Sequence, residues 1–160
     1  MAATTTWYEQ NGTATGTPAH GTENTISSCD WKSVDDSSTP RANAPVLAGS
    51  NSYAKYIYLK FSGTFNQISA VKFAHTAGTL GTGISLKGKI SSTYATPSTT
   101  AIGSGASVLL GTSGPNDTAP AASQTSQCYT QYIVTQVQTT ASANAGDSGS
   151  VTLTVQYNEN

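Results

Sequence analysis

The strongest constraint on the fold of this chain is a two-residue alternation of apolar and polar side chains that recurs along its length. It is cleanest at 150–158, where Val151, Leu153, Val155 and Tyr157 alternate with Thr152, Thr154 and Gln156. Ile84–Ile90 repeats it, with Ile84, Leu86, Gly88 and Ile90 set against Ser85, Lys87 and Lys89. Successive side chains of a strand point to opposite faces, so this period places one face of each strand against a core. No stretch sustains the 3.6-residue period of an amphipathic helix. The longest apolar runs are four or five residues, too short for a membrane-crossing helix.

Around these two segments lie further β-rich runs bounded by Gly, Ser, Asn and Pro. Thr5–Gln10 reads as a first, edge strand, followed by a Gly/Thr-rich loop at 11–24. A strand is expected over 25–34, carrying Ile26, Cys29, Trp31 and Val34, and a short run over Ala44–Ala48. Tyr53–Phe61 is dense in aromatic and β-branched residues, which suit a pleated surface. Tyr53, Ile57, Leu59 and Phe61 form one alternating set there; Tyr56, Tyr58 and Lys60 form the other. Gly63-Thr64 then reads as a tight turn into Phe65–Ala74, making a hairpin. Residues 91–105 are low in complexity. A short strand is expected at Ser107–Gly111, a loop at 112–125 around Gly114-Pro115-Asn116-Asp117, and a long strand at Cys128–Thr139. Ala145-Gly146-Asp147-Ser148-Gly149 reads as the last turn. Eight or nine short strands with regular turn signals predict an all-β, antiparallel β-sandwich, Ig-like or jelly-roll-like. The expected division is an N-terminal arm and loop at 1–24 and a sandwich domain at 25–160.

Composition narrows the function classes. Charged residues are 9% of the 160-residue chain, against about 25% in an average soluble domain. Seven Lys and Arg against eight Asp and Glu give no basic footprint for nucleic acid. Two His and two Cys rule out a rich metal cluster. In place of charge the chain uses 26 Thr and 21 Ser. Sheets with polar but uncharged outer faces are weakly protected against edge pairing, and near-zero net charge favours association. Such faces are expected to be covered by a partner or by further copies of the chain. Met1–Thr6 has no basic start and no apolar stretch behind it, so synthesis and folding in a cytoplasm are expected. In that setting Cys29 and Cys128 are expected to be free, buried thiols.

No constellation of reactive groups stands out. His20 falls in a Gly/Thr loop and His75 after a strand, and neither accompanies a nucleophile elbow; Gly103-Ser104-Gly105 sits in low-complexity sequence. The acids Glu9, Glu23, Asp30, Asp35, Asp36, Asp117, Asp147 and Glu159 fall mostly in loops or at strand ends, where Asp caps turns. Asp30 with Asp35-Asp36 could offer oxygen ligands to a hard cation, but no twelve-residue calcium loop is present. Cys29 has an acidic neighbour, Asp30, rather than the electropositive surroundings a catalytic thiol needs. No catalytic residue, metal ligand or cofactor site is therefore expected. The aromatics Trp7, Tyr8, Trp31, Tyr53, Tyr56, Tyr58, Tyr94, Tyr129, Tyr132 and Tyr157 could stack on sugars, though strand spacing more often means core or protein interface. Tyr56 and Tyr58 share what should be the wet face of their strand, and they are the best single sign of a covered surface.

Two regions resemble a known group. Lys60-Phe61-Ser62-Gly63-Thr64-Phe65-Asn66-Gln67-Ile68-Ser69 and Phe73-Ala74-His75-Thr76-Ala77-Gly78-Thr79-Leu80-Gly81-Thr82-Gly83 resemble small structural proteins of tailed-bacteriophage virions. The ending Tyr132–Gln138, Ala145–Gly149 and Ser150–Glu159, a strand, a Gly-Asp turn and an alternating Thr strand, is similar to the last two strands of Ig-like sandwich domains in phage proteins. The resemblance implies a non-enzymatic virion component: a capsid decoration (cement) protein bridging capsid subunits, or a neck or tail accessory protein. It implies the major capsid protein or other virion proteins as partners, a homo-oligomer, most often a trimer, and location in the virion. Cys29 and Trp31 are too close for the antibody-type pattern, so no inter-sheet disulfide is carried over. The expected interface comprises Tyr56 and Tyr58, with Trp7 and Tyr8 from an N-terminal arm that adds to a partner's sheet edge. A carbohydrate- or receptor-binding module is the other class left open.

Overall fold

The computed structural model describes residues 2–102, 107–108, 127–144 and 149–160. Among them are nine strands and a single turn of 3-10 helix at Arg41–Asn43. In chain order the strands are β1 (Thr4–Thr15), β2 (His20–Thr25), β3 (Lys55–Ser62), β4 (Ile68–Gly78), β5 (Ile84–Ser91), β6 (Ser107–Val108), β7 (Cys128–Tyr129), β8 (Tyr132–Thr139) and β9 (Val151–Glu159). Seven form one antiparallel sheet in the order β2-β1-β3-β8-β5-β6, with β7 also paired to β3. The other two, β4 and β9, form an antiparallel ribbon. The architecture is the all-β antiparallel sandwich that the alternation predicts.

The ribbon lies over one face of the large sheet. Alternate residues of β3 (Ile57, Leu59, Phe61), Leu86 of β5 and Ile133 and Val137 of β8 point towards it. They meet Phe65, Ile68, Val71 and Phe73, together with Val151, Leu153, Val155 and Tyr157 of β9. This is the face that the 150–158 pattern marks as buried. Burial of such side chains is worth roughly 1.5–3 kcal/mol each, and it decides the register, since a one-residue slip would turn every one of them outward.

Several local expectations are corrected. Segment 1–24 is not an arm: β1 pairs with β3 on one side and β2 on the other. Over Tyr8–Gln10 both of its backbone edges are engaged, so that stretch has no edge to lend to a partner, and removing Ala2–Gln10 would open the sheet. Tyr53–Phe61 and Phe65–Ala74 do not form a hairpin. Gly63, in the left-handed region at φ 98°, turns the chain out of the large sheet. Phe65 is then buried between the layers, and Asn66 and Gln67 donate to the Asn160 carbonyl, which starts the pairing with β9. The run at 25–34 is no strand beyond Thr25. After Ile26 N–H donates to Trp7 O at 3.0 Å, the chain leaves the sheet and drops Cys29 and Trp31 against the core. Ala44–Ala48 is also irregular. The long strand expected at Cys128–Thr139 is broken at Thr130, whose N–H and Oγ1 both bond the backbone of Leu59. Most of the Ser107–Gly111 run, the 112–125 loop and most of the Ala145–Gly149 turn lie outside the described residues.

One residue breaks the alternation of β3. Lys55 occupies an inward position, in register with Ile57, and its side chain is 1% exposed. Its ammonium donates to Glu9 Oε1 at 2.6 Å and to the Asp36 carbonyl at 3.2 Å. Glu9 is 3% exposed and also accepts from Asn11 Nδ2, which in turn donates to Asp35 Oδ1 at 2.9 Å. Losing one partner of such a pair strands the other charge in the interior, at a cost of about 3–5 kcal/mol. Lys55→Met should therefore lower unfolding stability in urea by that amount. Pairing Lys55→Met with Glu9→Gln should recover a large part of the loss; two losses that simply add would show that the charges are not coupled.

Candidate functional site

The large sheet has a second, outer face, and its centre is aromatic. Tyr8 of β1 stands directly across from Tyr58 of β3, and their rings stack at 5.5 Å and 13°. Tyr58 meets Tyr129 of β7 at 5.8 Å and Tyr132 of β8 at 5.6 Å, both edge-to-face. Tyr132 meets Tyr56 at 5.8 Å, and Tyr56 meets Tyr94 at 5.0 Å. Six tyrosines thus form one continuous cluster at the spacings aromatic pairs favour. Strand alternation explains the placement: Tyr56 and Tyr58 are the set opposite Ile57 and Leu59.

Polar tips of the cluster are tied down. Tyr58 donates to the Glu23 carboxylate, Tyr94 to the Gly12 carbonyl at 2.6 Å and Tyr132 to Gln10 Oε1 at 3.1 Å. Gly21 is needed here, because a Cβ at that position would overlap the Tyr94 hydroxyl. Burial pushes the phenols of Tyr56, Tyr58, Tyr94 and Tyr132 above their ordinary range, and the Glu23 carboxylate pushes Tyr58 further.

The cover over this face is the chain's own. Tyr56 is buried under residues 92–102, which contribute Tyr94 and Ile102 to an outer cluster with Ala54 and Val134, and Tyr58 is buried among Tyr8, Tyr129, Tyr132 and Glu23. Gln136 fixes that cover: its amide donates to Ser52 O at 2.9 Å and Thr100 O at 3.1 Å, and its oxygen accepts from Ile102 N–H at 3.0 Å. Of the four expected interface residues, Tyr56 and Tyr58 are thus already covered within the molecule. Trp7 points the other way, between the sheets, because neighbours on a strand face opposite sides. Only Tyr8 remains at the rim. It shares that rim with two residues the sequence did not single out as interface. Tyr129 is 44% exposed. The Lys60 ammonium lies 5.8 Å from the ring centroids of both Tyr8 and Tyr129. Next to the cluster, a cleft of about 420 Å³ opens between Pro18–His20 and Ser92–Tyr94.

A larger cavity, about 1090 Å³, opens at one end of the inter-sheet space. Trp7, Trp31, Ile26, Leu80, Ile84 and Leu153 line it, and Pro45–Ala48 form part of its mouth. Leu47 there is 68% exposed, the largest exposure among the big apolar side chains described. The short run expected at Ala44–Ala48 is thus part of a cavity rim, which its sequence does not signal. Cys29 also faces this cavity; burial, with the Glu9 carboxylate behind it, pushes its thiol up to about 12. It is a protonated, weakly nucleophilic sulfur at neutral pH. Cys128 is buried in the other half of the core, and both thiols are free.

The remaining candidates are engaged locally. Asp36 accepts from the Thr39 hydroxyl at 2.6 Å, the Thr39 N–H and the Lys32 ammonium, and these bonds hold its carboxyl below the usual range. Asp35 accepts from Asn11 and from Gly12 N–H. The two carboxylates thus serve as turn and loop anchors. Among the described residues no three His, Cys, Asp or Glu side chains gather as a metal site. His20 Nδ1 lies 3.3 Å from Pro18 O, and His75 lies in β4, its backbone paired with Leu153. Gly103-Ser104-Gly105, Asp117 and Asp147 lie outside the described residues. No protein-family model matches the chain, and neither curated proteins nor solved structures yield a match.

The phenol shifts have a definite sign. The folded state favours the neutral form of Tyr56, Tyr58, Tyr94 and Tyr132, so their contribution to stability is complete below pH ~10 and is lost as pH rises through the raised values. Phenolate absorbance should show these four silent near pH 10 and ionising together only as the protein unfolds. All eight tyrosines ionising in one smooth step, with circular dichroism unchanged, would contradict the buried cluster.

Proposed function

We propose that this chain is a non-enzymatic virion structural protein, most simply a capsid decoration protein that binds in many copies and bridges capsid subunits. The reading rests on the phage-like segments at 60–83 and 132–159 and on one structural observation, the Tyr8–Lys60–Tyr129 rim. Tyrosine held by packing loses little freedom on binding, and a cation set between two rings adds directional contact. Such groups are enriched where protein interfaces concentrate their energy. Because Tyr8 and Tyr129 both lean on Tyr58, the rim is rigid before a partner arrives. Each contact is modest, and repetition across a lattice supplies the avidity. A homo-oligomer, with a trimer as the favoured form, and the major capsid protein as partner belong to the same proposal, as do a neck or tail position if copies are few.

A second reading has its own support. The 420 Å³ cleft beside Tyr94 and Tyr132 combines aromatic edges with Thr93, Ser92 and His20, which suits a sugar better than an apolar ligand. It would make the chain a carbohydrate- or receptor-binding module.

Quantitative mass spectrometry of purified virions from the source decides between these. Hundreds of copies per particle are expected for decoration, and a single ring's worth would move the chain to the neck or tail. Absence from virions, with glycan binding that depends on Tyr94, would replace the proposal by the second reading. On the particle, Tyr129→Ala and Lys60→Ala should each weaken attachment about tenfold without changing the circular dichroism of the free protein. Unchanged attachment of both would remove the rim from the interface.

A further inference from the structure

We infer that the inter-sheet cavity is a binding site for a largely uncharged, apolar small molecule that enters past Leu47. The inference is independent of the docking role proposed for the opposite face.

Size is the first argument. Small-molecule sites occupy roughly 300–1,000 Å³, and this cavity, at about 1090 Å³, is just above that range. Core packing normally leaves few voids larger than a water molecule, so a space this large is no packing defect.

Wall chemistry is the second argument. The two indoles of Trp7 and Trp31, with Ile26, Leu80, Ile84 and Leu153, offer flat and aliphatic surface. Charge enters the lining at Asp30 and Arg41, both at exposed loop positions, and two of the polar groups set among the apolar walls are bonded within the chain. Trp31 Nε1 donates to Thr135 Oγ1 at 3.1 Å, and the Thr139 hydroxyl, with one proton to give, lies 2.9 and 2.8 Å from the carbonyls of Leu47 and Ser50. Cys29 stays protonated and presents a soft sulfur. Water needs two to four polar partners to settle in a cavity, whereas apolar cavities stay dry and accept apolar ligands.

The mouth supplies the third argument. An exposed Leu beside an apolar opening would ordinarily fold into it. Here the rim is held out. Gly49 N–H donates to Thr140 O at 3.0 Å, Ser50 N–H to Thr139 Oγ1 at 3.1 Å, and Ser33 N–H to Ala44 O at 3.0 Å. Lys32, 2% exposed, anchors the same loop through Asp36 and the Thr39 carbonyl. The walls are therefore preorganised, and a ligand would not have to order them on binding.

The chain carries its own reporters, since its only two tryptophans both line the cavity. The test is a titration of the full chain with the uncharged fluorophore N-phenyl-1-naphthylamine, followed by probe emission and by the two indole N–H resonances. Saturable binding of one probe per chain is expected, with both indole resonances shifted. Leu80→Arg, which places a charge on the wall, and Ala48→Phe, which crowds the exposed rim with little risk to folding, should each weaken binding at least tenfold. No saturable binding, or binding that leaves both indole resonances in place, overturns the inference. So does binding that survives both variants in folded protein. Indole shifts that appear only when another polypeptide is added, with no uptake of the fluorophore, would also overturn it and would mark a polypeptide seat instead.

Discussion

The sandwich depends on a pair of charges placed where its pattern calls for apolar side chains. Lys55 and Glu9 face each other on the inner side of β3 and β1, and neither reaches water. A buried ion pair is weak evidence for net stability, because desolvation offsets the attraction, but it is unforgiving of misplacement. Sliding β1 by one residue along β3 would carry Glu9 to the outer face and leave the Lys55 ammonium without its carboxylate. The pair thereby fixes the register in which Tyr8 meets Tyr58 outside while Trp7 lies opposite Leu59 inside. It also reaches beyond the sheet. Lys55 donates to the Asp36 carbonyl, and Asn11 links Glu9 to Asp35, so the loop that rims the cavity is fastened to the same point.

From this register follow two unlike faces, each covered in part by irregular chain. On the inner face the β4–β9 ribbon covers one end and the 26–50 segment extends over the other, leaving the cavity between them. On the outer face the 92–102 segment lies over Tyr56 and is held by Gln136, a fully buried amide with its oxygen and nitrogen both engaged. Covering a sheet with loop rather than helix demands that the loop's backbone groups find partners. Ala54 N–H to Ser98 O and Asn51 Nδ2 to Thr99 O do this for residues 98 and 99, and the Thr96 hydroxyl accepts from Ala14 N–H.

Much of the layer architecture was legible because alternation is a local signal: Val151 to Tyr157 and Ile84 to Ile90 report their buried face without knowledge of any neighbour. Pairing partners were not legible. Whether Phe65 begins a hairpin or crosses to another layer depends on what it can be buried against, and that is set by Asn160, far along the chain. The N-terminal segment was misread for a related reason. Glu9 and Gln10 read as the end of an edge strand and Asn11 as the onset of loop, yet all three are buried because Lys55, Gly21, Tyr132 and Asp35 supply partners from other elements. At the candidate sites, the tyrosine face was legible as an anomaly, two aromatics on a wet side. Its cover was not, since Tyr94 sits alone in low-complexity sequence. The cavity left no sequence signal beyond the apolar run Ala44–Ala48, in which Leu47 is held exposed by the Thr139 hydroxyl on its carbonyl and by Gly49 N–H on the Thr140 carbonyl.

The scarcity of charge acquires a sharper meaning once these positions are known. Of the fifteen charged side chains implied by seven basic and eight acidic residues, Glu9, Lys32 and Lys55 are buried, and Asp35 and Asp36 are half-buried and bonded to the chain itself. The outer surface is therefore poorer in charge than the composition alone indicates. Such a surface has little long-range field with which to steer a partner, and little like-charge repulsion to keep sheet edges apart. Recognition at this surface must come from short-range shape and aromatic contact. That is why Lys60 matters more than its single charge: set between Tyr8 and Tyr129, it is a cation among few and it sits where the rings are already fixed. A partner selected there would be chosen by fit to a rigid rim, with association that responds only weakly to salt.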